Sequence, residues 1–545
     1  MAPIIVEGAL DTVKRDLAGP AIGPTLSPQD VGWSFEGVCH EVRPLTRWLR
    51  GLAIALAATI ALAIPGGWLV WKELVGPAPL APGPTLEVLE NVILVEPDLR
   101  RESGRRIAFE GGRITKIEAS TGGSTYSGAY PGAYVLPGLV DAHAHLAPGW
   151  MPGQAELYGY LFLRHGVTSI RVAADAGGGS SLETRAAIER GDFVGPRIAS
   201  CGPFIDGPGA KFTSAEVVST ADEARAAIER VAAAGYDCVK AYNELTDETL
   251  TAVRETAAKH GLPVIGHVPY RLTLEEARLD DTQHMFGFHQ RVDADSFRSI
   301  EGWFGVDDAR VDEVIAFLKR EGVAMTTSLV AGRRIARSRE SAADPNDVMR
   351  RWLPPWYADA IWRIPGGINP GNILPKDRLA TLDRTITHQA KIVPRLYRAG
   401  VDLRAGTDCF APPVLPGVSL QQELEIFVSG GLTPEEALAI ATRGSARALG
   451  IEGLGRIQEG APADLLLFAK DPTEDLANLD SLLAVVKEGR IYPRAVLDEQ
   501  EARYRENFDG FVQQRIFTPL LRSALSAVIE RMFTAQAEGM TEDAG

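Results

Sequence analysis

Six side chains of this sequence could together build one metal-binding site: His143, His145, Lys240, His267, His284 and Asp408. Imidazole nitrogens and carboxylate oxygens suit zinc and similar divalent ions. His143 and His145 are two positions apart, so in a strand both project to one side and can reach one ion. Lys240 lies in the apolar run CVKAY. In a dry pocket an amine has its pKa lowered and becomes nucleophilic. Taken singly, each residue has a plainer reading. A histidine at a strand end is usually hydrogen-bonded structure, a lysine in an apolar strand snorkels or pairs with a carboxylate, and an aspartate after Gly-Thr caps a helix. The chain holds nine histidines, and four of them end short apolar runs in company with a lysine and an aspartate. That coincidence is what points to chemistry.

The elements that must position these residues are legible as an alternation. Short apolar runs occur at YVLPGLVDAHAH, GVTSIRVA, PRIAS, CVKAY, LPVIGH, DTQHM, VAMTTSL and VDLRAGTD. Helical stretches such as SAEVVSTADEARAAIERVAAAG and LTDETLTAVRETAAKHG lie between them. Eight strands alternating with helices predict an α/β fold, a (β/α)8 TIM-like barrel over residues 136–448. In such a barrel, residues at the C-terminal ends of the strands converge on one face. The flanks are β-rich: LEVLENVILV and RRIAFEGGRITKIEAS, with a Gly-Gly turn, and later GRIQEGAPADLLLFAKD and LLAVVKEGRIYPR. They predict a small composite β-sandwich from residues 86–135 and 449–495. Residues 331–380 interrupt the alternation as a lid-like insertion carrying Trp352, Trp356 and Trp362, and residues 496–545 form a helical tail.

Residues 1–45 read as an N-terminal arm, 46–74 as a transmembrane anchor or a signal segment, and 75–85 as a Pro-rich linker. From Gly51 to Trp71, 21 residues carry no charge, long enough for one N-terminal transmembrane helix. Arg43, Arg47 and Arg50 precede this stretch, which puts the N-terminus in the cytoplasm and the catalytic domain outside, in a periplasmic or extracellular space. Ala61-Leu62-Ala63 resembles a signal-peptidase site, so export after cleavage is the alternative. Lys and Arg number 56 against 71 Asp and Glu, a net charge of −15 that speaks against nucleic acid as a partner. Four cysteines make neither a disulfide framework nor a thiolate zinc site, although Cys201 and Cys238 on adjacent strands could pair outside the cytoplasm.

The run LPGLVDAHAHL resembles the opening metal motif of the amidohydrolase superfamily, close to its imidazolonepropionase-like and prolidase-like members. VKAY, the GH at 266–267, the QH at 283–284 and the AGTD at 405–408 follow in that group's order, and the resemblance spans about residues 86–495. It implies a binuclear centre of two divalent metal ions, zinc by donor type. His143, His145 and Asp408 would hold one ion, and His267 and His284 the other. Lys240 would bridge both as a carbamate formed with carbon dioxide. It further implies a bridging hydroxide attacking the carbonyl of an amide, with Asp408 as general base and then general acid. Tyr270 is the nearest match to a tyrosine that polarises the carbonyl in prolidase-like relatives, and Tyr242 is the alternative.

His289, Arg333 and Trp150 complete the candidate substrate residues. Arg333 and Arg334 could grip a carboxylate with forked hydrogen bonds. The small-molecule substrate would then be a dipeptide, an N-acyl amino acid or similar. His40, His165, His260 and His388 read as structural. Hydrolysis of a lactone or cyclic amide, deamination, and an inactive membrane-anchored binding protein are the competing functions. Lys240 argues against the deaminase, and the full set of six ligand positions argues against the inactive protein. A homo-oligomer is compatible with the sequence.

Overall fold

The computed structural model describes residues 67–68, 70–120, 130–147, 153–176, 178–210, 212, 214–289, 302–362, 374–409 and 413–524. The chain divides into two units, Met1–Trp68 and Leu69–Gly545, and the second holds the barrel and the candidate ligands. Most of the expected anchor lies outside the described residues. Among the described residues no helix is long and apolar enough to cross a membrane.

Strands β1 (Val88–Glu96), β2 (Arg100–Glu110), β3 (Arg113–Ala119) and β4 (Tyr134–Pro137) precede the barrel. The barrel strands are β5 (Leu139–Ala144), β6 (Val167–Val172), β7 (Arg197–Asp206), with the short β8 (Glu216–Val217) paired at its end, β9 (Cys238–Ala241), β10 (Val264–Gly266), β11 (Asp281–Gln283), β12 (Ala324–Thr326) and β13 (Leu403–Arg404). Each long-path neighbour is parallel, in the order β5-β6-β7-β9-β10-β11-β12-β13. The ring closes where Ala142 N–H donates to Ala405 O and His145 N–H donates to Cys409 O, both at 2.9 Å. Every residue of β5 and β6 is buried, as expected for parallel strands covered by helices on their outer side. Cys201 of β7 and Cys238 of β9 are cross-strand partners and form a disulfide.

The flanking pieces join as the alternation suggested, but in one hydrogen-bonded sheet rather than two stacked ones. Strands β14 (Leu465–Phe468), β15 (Leu482–Lys487) and β16 (Arg490–Pro493) continue it in the order β16-β15-β14-β4-β1-β2-β3. The reason is β4, which offers both edges: β1 pairs with it in parallel and β14 antiparallel. Val92, Leu94, Ile107, Val135, Leu465, Leu467 and Val486 form the buried core of this sheet. Only Gly138 separates β4 from β5, so the sheet is tied directly to the first metal-motif strand.

The insertion after β12 forms helices Leu329–Ala336, Ser338–Ala343 and Val348–Trp352, then a π-helical turn Trp356–Trp362. Its described tryptophans do not cover the C-terminal strand ends. Trp352 packs edge-on against His165, just before β6, with ring centroids 4.9 Å apart, and Trp356 packs against Tyr357 and Phe517. The cause is electrostatic anchoring. Arg351 beside Trp352 pairs with Glu501 at 2.8 Å on helix Arg494–Phe508, and Arg164 reaches Glu501 and Asp498 of that helix.

Beneath the strand ends the barrel interior is charged. Arg171 of β6 donates to Ala142 O at 2.8 Å and to the carboxylate of Asp281 on β11. Asp281 also accepts from Thr326 at 2.9 Å and from Arg404 at 3.1 Å. Burial alone would raise the Asp281 carboxyl, but Arg171 and Arg404 hold it below its ordinary value of 3.8. Its stabilising contribution is therefore present above that value and is lost as pH falls through the lower folded one. Replacing Asp281 by Leu strands a buried guanidinium and should cost about 3–5 kcal/mol. Chemical unfolding at neutral pH measures this, and a loss below about 1 kcal/mol would contradict the buried network.

Candidate metal centre

The six candidate ligands meet at the C-terminal ends of the barrel strands. His143 lies in β5 and His145 just beyond it, Lys240 lies in β9, and His267, His284 and Asp408 follow β10, β11 and β13. The imidazoles form an arc, with ring centroids 5.3 Å apart for His145–His143, 4.7 Å for His143–His284 and 4.7 Å for His284–His267. Asp408 Oδ1 lies 3.2 Å from His143 Nε2 and 3.1 Å from His145 Nε2. Ligand atoms of His143, His284 and Asp408 all fall within 4.8 Å of one another, a spacing that suits cation binding.

The charge states suit ligation. Burial, reinforced by Lys240, drives His143 and His267 well below the ordinary histidine value, and burial takes His284 down to about 4. These rings are neutral and keep a lone pair. Burial also pulls the Lys240 amine down to about 7, against the opposing charge of Asp408. Burial would raise the Asp408 carboxyl, but the imidazoles of His143 and His145 beside it outweigh burial and hold it well below the ordinary carboxylate value.

A second layer sets which nitrogen each ring presents. His145 Nδ1 faces the carbonyl of Ala174 at 3.1 Å, so it carries the proton and leaves Nε2 free toward Asp408. His267 Nδ1 donates in the same way to Asn243 Oδ1 at 2.8 Å, and Asn243 Nδ2 donates to the Tyr270 hydroxyl at 2.8 Å. His284 Nδ1 is 2.6 Å from Ser328 Oγ. Beside Lys240, Gln283 Oε1 accepts from the amine, while the buried Gln283 Nε2 has no partner among the described residues. An unpartnered amide donor at this point fits an anionic group on the lysine nitrogen. Neutral imidazoles and an ionised carboxylate thus fit a divalent cation as ligands.

The backbone is bent to aim these groups. His284, Ser328 and Asp408 occupy the left-handed region with φ of 59°, 46° and 61°, a conformation uncommon for residues other than glycine. Glu423 helps to hold Ser328, accepting from Thr327 Oγ1 and from the amides of Leu329 and Val330 at the start of helix Leu329–Ala336. Asp141 anchors the Asp408 loop by accepting from the amide and hydroxyl of Thr407. Gly406 is required by space, because a Cβ there would lie 2.6 Å from His143 Cβ.

The remaining expected residues fall in different places. Tyr242 lies over the His267 ring at 4.3 Å, and burial raises its hydroxyl pKa, so it is a neutral phenol. Tyr270 is buried and sits behind His267, joined to it through Asn243. His289 has a buried Nδ1 with no partner among the described residues, and burial lowers the ring to about 4. Arg333 turns to Thr387 at 3.1 Å and Asp383 at 3.5 Å, and Arg334 to Asp347 and Pro413 O. Trp150 lies outside the described residues. Asn243, Ser328, Gln283 and the Arg171–Asp281–Arg404 group were not singled out from sequence. A polar residue placed inside a short barrel strand, or two to three positions beyond one, was the available signal.

The model of the Amidohydrolase family matches residues 134–492 of this chain. An uncharacterized protein of Mycobacterium tuberculosis (strain ATCC 25618 / H37Rv) is 25% identical over 411 residues, covering 70% of this chain and 90% of the relative. The imidazolonepropionase of Anaeromyxobacter sp. (strain K) is 39% identical over 109 residues, 18% of this chain and 25% of that protein. Among solved structures, a bottromycin amidohydrolase superposes with a TM-score of 0.59 at 24% identity, covering 78% of this chain and 91% of that one. An Xaa-Pro dipeptidase with bound methionine gives 0.57 at 22% identity, covering 75% and 100%.

Asn243→Leu removes the acceptor that orients His267. Affinity for zinc, read by chelator competition, should fall about 10–100-fold. Unchanged affinity would contradict the assigned role of Asn243.

Proposed function

Because the chain belongs to the amidohydrolase family, we propose that it hydrolyses an amide bond of a small substrate, a dipeptide or N-acyl amino acid, at a binuclear centre. That it is a hydrolase acting on carbon–nitrogen bonds follows from the family and its amide-cleaving neighbours. The observation that carries the finer reading is the burial of Lys240 among His143, His267, His284 and Asp408. His143, His145 and Asp408 would hold one cation, His267 and His284 the other, and a carbamate on Lys240 both. Such ions, zinc by donor type, supply electrophilic polarisation of the scissile carbonyl and acidify bound water.

The chain's own groups do the rest. Asp408, ionised, with Oδ1 3.2 Å and 3.1 Å from the Nε2 atoms of His143 and His145, takes a proton from the attacking water and returns it to the leaving nitrogen. His145 and Asp408 keep 14% and 22% of their side-chain surface exposed, so substrate approaches from their side. Tyr242, over His267 and kept as a phenol, can donate to a developing oxyanion. Opening of a cyclic amide is the second reading, favoured by the 39% identity to an imidazolonepropionase over 109 residues.

We place the catalytic unit outside the cytoplasm, held by or released from residues 46–74. The three arginines before the uncharged stretch and the Cys201–Cys238 disulfide support this, since disulfides persist in oxidising compartments.

Lys240→Ala and Asp408→Asn should each lower kcat/KM for a dipeptide at least about a thousandfold with the circular-dichroism spectrum unchanged. Near-native turnover by either would contradict the mechanism. Protein taken from its host and alkylated before reduction should show Cys201 and Cys238 protected, and labelling of both would contradict export.

A further inference from the structure

A continuous aromatic wall runs outward from the ligand arc. Phe204 stacks on His145 at 6.1 Å, and Phe212 lies parallel to Phe204 at 5.1 Å with 9° between the ring planes. Tyr242 closes edge-on against both, at 4.9 Å and 5.7 Å. On the other side of Tyr242 the wall continues through His267 to Phe286, 4.9 Å beyond. Strand pairing sets its position, because Phe204 of β7 is the cross-strand partner of Lys240 in β9.

Two features separate this wall from ordinary core. Its inner ring, Phe204, is buried, whereas Phe212 leaves 47% of its surface to solvent, so the stack ends in an open apolar face. It also begins at His145, on the side where the ligand cluster is itself accessible. Parallel and edge-on ring contacts at these distances are the geometry that aromatic groups favour with one another. The arginines expected to recognise a carboxylate, Arg333 and Arg334, are engaged with Asp383, Thr387, Asp347 and Pro413 O.

We propose that Phe212, Phe204, Tyr242 and Phe286 form the specificity subsite, and that it takes a phenyl or similarly flat apolar group attached next to the scissile amide. The inference rests on the amide-hydrolase reading and adds the substrate class to it. The outer ring, Phe212, is the residue whose loss the subsite feels without disturbing the ligands.

The test compares dipeptides in which Phe replaces Ala on either side of the bond, and N-phenylacetyl with N-acetyl amino acids. One aromatic substrate should exceed its small counterpart in kcat/KM by at least about tenfold, the factor expected from burying one ring. Phe212→Ala should collapse that ratio several-fold, and Phe212→Tyr should retain it. A second arm measures binding of the products L-phenylalanine and L-alanine by calorimetry, which does not depend on turnover. Hydrolysis without aromatic preference, or a ratio unchanged in Phe212→Ala, overturns the subsite and leaves amide hydrolysis standing. Selective binding of phenylalanine without hydrolysis of any amide supports the subsite and overturns the hydrolytic reading.

Discussion

Four imidazoles face a carboxylate and a lysine amine in the barrel mouth, with His143, Lys240 and His267 buried. Buried polar groups are costly unless paired, and among the described residues His143 Nδ1 and Gln283 Nε2 have no hydrogen-bond partner. Electron-pair donors gathered within 4.8 Å gain from positive charge placed between them. The same burial that lowers His143, His267 and His284 disfavours their charged forms, so these rings do not supply that charge. The energetic logic of the barrel mouth is therefore that of a cation trap, and the lowered amine of Lys240 suits it to become an anion in the same pocket.

The surrounding structure is organised to keep that trap rigid. Ala174 O, Asn243 and Ser328 bond the outer nitrogens of three rings. Asp141 and Glu423, both buried, tie down the loops that carry Asp408 and Ser328. Left-handed backbone at His284, Ser328 and Asp408 costs of order 1–3 kcal/mol per residue, a strain usually found where function demands it. Below them the Arg171–Asp281–Arg404 group locks β6, β11 and β13 together.

Much of this was legible in the residues. Fully buried strands such as LVDAHA and VTSIRV read as apolar runs, and period two put His143 and His145 on one side. Other parts were hidden for physical reasons. A sandwich and a single sheet share the same alternation, and the two-edged pairing of β4 decides between them. The tryptophans of the insertion suggested a lid, yet Arg351 and Glu501, separated by 150 positions, draw Trp352 to the far end of the barrel. Arg333 and Arg334 looked free for substrate because their partners Asp383 and Asp347 are acidic residues with no motif around them. Asn243 gave no signal because an amide two residues past a strand is ordinary until His267 is seen against it.

The mechanism turns on whether Lys240 is carbamylated and shared by two cations. Mass spectrometry of the intact folded protein under non-denaturing conditions, combined with elemental analysis, tests this most directly. Two divalent ions and the added mass of one carbon dioxide per chain are expected, with the carbon dioxide lost in Lys240→Ala. A single ion bound to wild-type protein with no such addition would contradict it.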